Sequence, residues 1–131
     1  GVEVRIACPK GYEPNSNVIN KALSLYKNKN LLRITNNVDS AVAGANVLYT
    51  DVWSSMGEEN LKNEKDKDFG GFTIDSNLVS NSDKNAIILH CLPAYRGKEI
   101  LDEVIESDKS RIFEQAENRM HVQQALLASI L

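Results

Sequence analysis

Three short segments carry residue types that do chemistry on small molecules. His90-Cys91-Leu92-Pro93 sets an imidazole and a thiol at the end of Ala86 to His90, where Ile87, Ile88 and Leu89 form a continuous apolar run. A thiol there could donate a hydrogen bond or accept a proton, and an imidazole could polarise a carbonyl or bind an oxyanion. The plainer alternatives are a cysteine acting as a small hydrophobe and a histidine hydrogen-bonded into the structure. Asp51-Val52-Trp53-Ser54-Ser55-Met56-Gly57 pairs one carboxylate with hydroxyls and a glycine. Asp51 could hold a ligand's ammonium or cap the turn that follows it, and Trp53 reads as a core residue. Glu117-Asn118-Arg119 is expected to open a terminal helix spanning Ala116 to Leu131. In a first turn Arg119 opposes the helix dipole, so a phosphate or carboxylate, or else Glu114 or Glu117, would compensate it. No metal site is expected, because His90 and Cys91 as strand neighbours point to opposite faces and no Cys-x-x-Cys pair completes a ligand set.

These segments need elements to position them. Five β-type runs recur: Val2 to Cys8, Leu31 to Thr35, Asn46 to Thr50, Ala86 to His90 and a weaker Arg111 to Phe113. Helix patterns separate them. Ser16 or Asn17 can cap a helix with apolar Val18, Ala22, Leu25 and Tyr26 that stops near Asn28, and Val38 to Ala45 suits a brief helix ending at Gly44. Glu58 to Asp68 is so polar that it reads as a solvated helix or mobile segment, while Ile100, Leu101, Val104 and Ile105 make a helical stripe. Strands alternating with helices predict an α/β fold, a three-layer parallel sheet with helices on both faces and Ala86 to His90 at its centre. In such sheets ligands bind beyond the carboxyl ends of the strands, which is where all three segments fall.

Composition narrows the class. At 131 residues, 42% hydrophobic and 25% charged, with 7 Gly and 3 Pro, the chain suits one compact domain and excludes collagen, low-complexity disorder and a disulfide scaffold. A net charge of -3 offers no electrostatic excess to hold nucleic acid or an anionic bilayer. Cys8 and Cys91 read as reduced thiols, no stretch is long enough to span a bilayer, and no Gly-x-Gly-x-x-Gly turn marks a dinucleotide site. Because Val2 to Cys8 already reads as a strand, the sequence is expected to be a segment of a longer protein.

With these residues in hand, the chain resembles the carboxyl-terminal, amino-acid-binding half of the ornithine carbamoyltransferases. Asp51 to Gly57 is similar to that family's Asp-x-x-x-Ser-Met-Gly loop, His90 to Gly97 to its His-Cys-Leu-Pro segment, and Glu117-Asn118-Arg119 follows in the same order. Tyr95 stands where many relatives carry a histidine, at a position not expected to touch substrate. The resemblance implies that residues 1–131 are the ornithine-binding domain of the carbamoyltransferase fold, without the upstream carbamoyl phosphate domain and lacking the sheet's central neighbour. It implies that ornithine's side-chain amine attacks carbamoyl phosphate to give citrulline and phosphate, with no cofactor and no metal. Asp51, Ser55 and Met56 would hold ornithine, Cys91 with Asp51 would be catalytic, and Cys91, Leu92, Arg119 and His90 would meet carbamoyl phosphate. The intact enzyme is then expected to be a homotrimer or a multiple of trimers. It would be cytoplasmic, or in the mitochondrial matrix of an animal, and serve arginine biosynthesis or the arginine deiminase pathway. The alternatives are a carbamoyltransferase acting on putrescine, aspartate or acetylated ornithine, and a noncatalytic amino-acid-binding fragment.

Overall fold

Two parallel strand pairs form the frame, in a computed structural model that describes residues 1–54, 57 and 59–131. Strand β1 (Val4–Ala7) runs beside β2 (Leu32–Thr35), with Val4 opposite Leu32 and Ala7 opposite Thr35. Strand β3 (Val47–Thr50) runs beside β4 (Ile87–His90), with Val47 opposite Ile87 and Thr50 opposite His90. The crossovers that parallel pairing demands are helical. Helix α1 (Ser16–Leu25) links β1 to β2, and α2 (Val38–Val42) leads from β2 to β3. Helices α3 (Lys62–Asp68) and α4 (Ser76–Ser80) separate β3 from β4, and α5 (Asp102–Ile105) and α6 (Ile112–Ile130) follow.

Local chemistry sets these boundaries. The Asn15 side chain caps α1 by accepting from Asn17 N at 2.8 Å, one residue before the expected Ser16. That helix ends at Leu25, short of Asn28, because Asn28 instead caps a 3-10 turn over Lys29–Leu31. Asn37 caps α2, and Gly44, at φ 66°, reverses the chain into β3. The polar stretch expected from Glu58 to Asp68 becomes a 3-10 turn, Glu59–Leu61, followed by α3, which buries no residue.

Three expectations are corrected. The parallel α/β class holds, but the strands form two separate pairs and not one sheet; the inner edges of β1 and β3 line a cavity of about 630 Å³ between them. The fifth strand, Arg111 to Phe113, is reduced to a single bridge between Ile88 and Ser110, because fully buried Ile112 turns inward and starts α6 at once. Helix α6 therefore opens at Ile112 and not at Ala116, which leaves Arg119 two turns inside it, where no dipole conflict arises.

The core belongs to the second pair. Val42, Leu48, Ile74, Leu78, Ile88, Ile100, Val104, Ile105 and Ile112 form one buried cluster, with Ile88 of β4 wholly enclosed between β3 and the 109–111 backbone. This packing makes the end of β4 a rigid platform. By contrast α6 leaves Phe113, Met120, Val122, Leu126, Leu127 and Ile130 exposed.

Candidate active site

The β3–β4 register fixes the first contact. Thr50 opposite His90 is the last pair, so Asp51 and Cys91 leave the sheet side by side. Cys91 Sγ donates to Asp51 Oδ1 at 2.9 Å, and Val52 N donates to the same oxygen at 2.7 Å. The second oxygen of Asp51 takes neither bond, and the residue is exposed. Burial, then the hydrogen bond and charge of Asp51, push the Cys91 thiol above its ordinary value of 9.0, against a smaller opposing contact from Tyr49. In this structure Cys91 is a hydrogen-bond donor to Asp51.

His90 departs from its expected place. It is 0% exposed, and both ring nitrogens are engaged inside the protein. Leu92 N donates to Nδ1 at 2.9 Å, so the ring proton lies on Nε2, which faces Glu99 Oε1 at 3.2 Å. That same Glu99 oxygen accepts from Tyr95 N at 2.6 Å, while His90 N donates to Gln115 Oε1, whose amide reaches the Tyr49 hydroxyl. The imidazole therefore has no nitrogen to offer a ligand; it holds Leu92 at φ 55°, a conformation rare for a side chain of this kind. Alternation along a strand does not extend past β4: the turn at Cys91 brings one ligand atom each of Asp51, His90 and Cys91 within 4.8 Å. Within this trio Cys91 bonds Asp51, whereas both His90 nitrogens are taken up by Leu92 N and Glu99, so a metal would have to displace those partners.

Other expected residues gather nearby. Arg119 is exposed and lines a cleft of about 860 Å³ together with Cys91, Leu92, Pro93 and Ala94. Ser55 and Met56 lie outside the described residues. Trp53 is half-buried and stacks on Phe69 with ring centroids 5.7 Å apart, in keeping with a packing role. Sequence reasoning missed Glu99, Gln115 and Tyr49. Only Glu99 left a trace, as an acidic residue set directly against the apolar Ile100 and Leu101.

A family model described as "Aspartate/ornithine carbamoyltransferase, Asp/Orn binding domain" matches residues 1–130. The chain belongs to that family. Among curated relatives of this carbamoyltransferase domain, the ornithine carbamoyltransferase of Prochlorococcus marinus subsp. pastoris is 79% identical over 131 residues, all of this chain and 42% of the relative. The chain thus spans less than half the length of such relatives. Among solved structures, the Pyrococcus furiosus ornithine carbamoyltransferase superposes with a TM-score of 0.86 at 40% identity, over 98% of this chain and 41% of that one. The anabolic ornithine carbamoyltransferase of Campylobacter jejuni gives 0.84 at 41% identity, over 95% and 42%. The resemblance read from the Asp51, His90 and Glu117 segments is borne out at the level of family and fold. Among the described residues, no helix of this carbamoyltransferase domain is long and apolar enough to cross a membrane.

Proposed function

We propose that residues 1–131 are the amino-acid-binding domain of a longer ornithine carbamoyltransferase, which joins carbamoyl phosphate and L-ornithine to give L-citrulline and phosphate in arginine metabolism. The observation that carries this reading is the 2.9 Å contact of Cys91 with Asp51 at the paired ends of β3 and β4, in a chain of this family. It sets a carboxylate suited to an ammonium against a thiol suited to the reacting carbamoyl group. In the reaction, the side-chain nitrogen of ornithine forms a bond to the carbamoyl carbon, the carbon–oxygen bond to phosphate breaks, and the nitrogen loses a proton. Asp51, with Ser55 and Met56, holds the amino-acid end of ornithine. Cys91 and the Leu92 carbonyl contact the carbamoyl group, and Arg119, on the same cleft, supplies positive charge to its oxygen or to phosphate. His90 acts through Leu92, which it holds in place, in line with its burial. The full-length enzyme is a cytoplasmic homotrimer or multiple of trimers, with no resident metal or cofactor.

Turnover of the full-length parent with ornithine, putrescine, acetylated ornithine and aspartate tests the substrate. Ornithine is expected to give the highest kcat/KM, and a preference for putrescine would replace it with the diamine. In the same enzyme Asp51→Asn should raise KM for ornithine about ten- to a hundredfold, the worth of a hydrogen bond to a charged group, and barely move that for carbamoyl phosphate. The reverse pattern would exchange the two subsites.

A further inference from the structure

Among the described residues Glu99 is the one fully buried carboxylate, and it follows the turn that carries Cys91 and Leu92. Its backbone is fastened on both sides. Ile74 N donates to Glu99 O at 2.9 Å, Leu101 N donates to Ile74 O at 3.0 Å, and Gly97 N donates to Ile100 O at 2.9 Å. Ile74 and Ile100 belong to the core cluster, so the carboxylate stands on a fixed base.

One oxygen of this carboxylate closes the turn at both ends. Glu99 Oε1 faces His90 Nε2 at 3.2 Å in a buried contact and accepts from Tyr95 N at 2.6 Å in a part-buried one, with residues 91–94 between them. The first contact reaches further through the ring. Leu92 N donates to His90 Nδ1 at 2.9 Å, which requires an unprotonated Nδ1 and so a proton on Nε2. An acceptor at Nε2 favours that tautomer and fixes the plane of the ring. Glu99 Oε1 is that acceptor.

What the ring holds is an uncommon backbone. Leu92 lies at φ 55°, and a branched side chain stays in that region only where its surroundings impose it. Its side chain packs against the core cluster, its N–H is taken by His90, and among the described residues nothing bonds its carbonyl. Leu92 also lines the cleft that holds Cys91 and Arg119.

We propose that Glu99 is a positioning residue for carbamoyl phosphate: it fixes the His90 tautomer, His90 fixes Leu92, and the Leu92 carbonyl is thereby presented to the carbamoyl amide. This rests on the reaction proposed above. Carbamoyl phosphate is common to every amine considered there, so the role is independent of which amine is used.

The test uses the full-length parent, assayed well below the Tm of each variant. Glu99→Met keeps the length of the side chain and removes the acceptor. It should raise KM for carbamoyl phosphate about two- to tenfold, the worth of one neutral hydrogen bond, and leave KM for the amino acid unchanged. A mere loss of folded molecules would lower kcat and move neither KM. Glu99→Gln keeps an acceptor oxygen and should restore most of the loss. In a His90→Asn background, where the Asn Oδ1 can take the place of Nδ1 without help from Glu99, Glu99→Met should add nothing further. Without any substrate, hydrogen exchange at the Leu92 amide, read by mass spectrometry with electron-transfer fragmentation, should quicken in Glu99→Met and not in Glu99→Gln. An unchanged KM for carbamoyl phosphate, equal effects of Met and Gln, additivity with His90→Asn, or unchanged Leu92 exchange would overturn the proposal. A parent with no carbamoyl transfer would instead overturn the reaction it rests on, and the exchange result then still reports whether Glu99 sets Leu92.

Discussion

Burial, and then the hydrogen bond to and charge of Asp51 2.9 Å away, hold the Cys91 thiol above its ordinary value. Alkylation of Cys91 by iodoacetamide, followed across pH by peptide mass spectrometry, should therefore show a midpoint above 9.0. Asp51→Asn should bring it down, because the repelling charge is gone; a midpoint at or below 9.0 in the unmodified protein would contradict the assigned donor. The sign for stability follows from the same preference. The folded state favours the neutral thiol, so this contribution is fully present below the ordinary value and is lost as pH climbs through the raised one. Cys8 is also raised, by burial and then by Glu13, and it is 7% exposed, so it should alkylate slowly for a different reason. In turnover by the full-length parent, Cys8→Ser should be nearly silent and Cys91→Ser should lower kcat with the fold intact.

At the scale of elements, the turn after β4 is held by two kinds of tie, and their magnitudes differ. Arg96 joins it to α5 through Asp102 and Glu106, but those carboxylates are 70% and 60% exposed, so Arg96→Ala should barely move the urea midpoint. Glu99 works from inside. Its Oε1 takes a buried bond from His90 Nε2 and a part-buried one from Tyr95 N, and its buried Oε2 has no partner among the described residues. Removing it orphans the buried His90 Nε2 and frees the part-buried Tyr95 N, so Glu99→Ala should cost about 1–3 kcal/mol from the His90 donor alone, read as a shift in the urea midpoint at constant slope. Equal losses for the two variants would mean that the buried network does not set the turn. The same network ties α6 to the sheet, since Gln115 bonds His90 N and the Tyr49 hydroxyl and so joins the ends of β3 and β4.

On the scale of the whole molecule, the 131 residues leave two kinds of surface that proteins ordinarily cover. The inner edges of β1 and β3 face a cavity where their ladder groups pair with no strand, and α6 exposes six large apolar side chains over its length. Both features accord with the proposal that residues 1–131 are one domain of a longer chain. Among the described residues the cleft beside Cys91 holds Arg119 as its one cation, too little to grip a phosphate alone. The isolated 131-residue chain should therefore form no measurable citrulline from carbamoyl phosphate and ornithine, while the full-length parent does. Citrulline made by the isolated chain would show that the site is complete without an upstream half.

Much of the chemistry was legible in the residues themselves. Asp51, Cys91 and the Leu92-Pro93 turn fall at strand ends, and strand ends follow from short-range patterns: the apolar run Ile87 to Leu89, and Gly44 just before β3. Periodicity reports what one stretch of backbone prefers, so it also separated strands from helices along most of the chain. It is silent on which groups meet across the fold. Cys91 touches Asp51 across 40 positions and Lys98 meets Asp66 across 32, and both pairings depend on the path of the chain between them. The resemblance set His90 against carbamoyl phosphate, but the plainer alternative of a histidine hydrogen-bonded into the structure is the one the fold shows, with Glu99 a partner that nothing local marks. Helix α6 began four residues earlier than its apolar stripe indicated, since Ile112 was drawn into the core by Ile88 and Ile105. The sequence by itself determined the reactive groups and the elements that carry them; tertiary packing decided which of them face solvent, because burial is a property of the assembled core and not of any one segment.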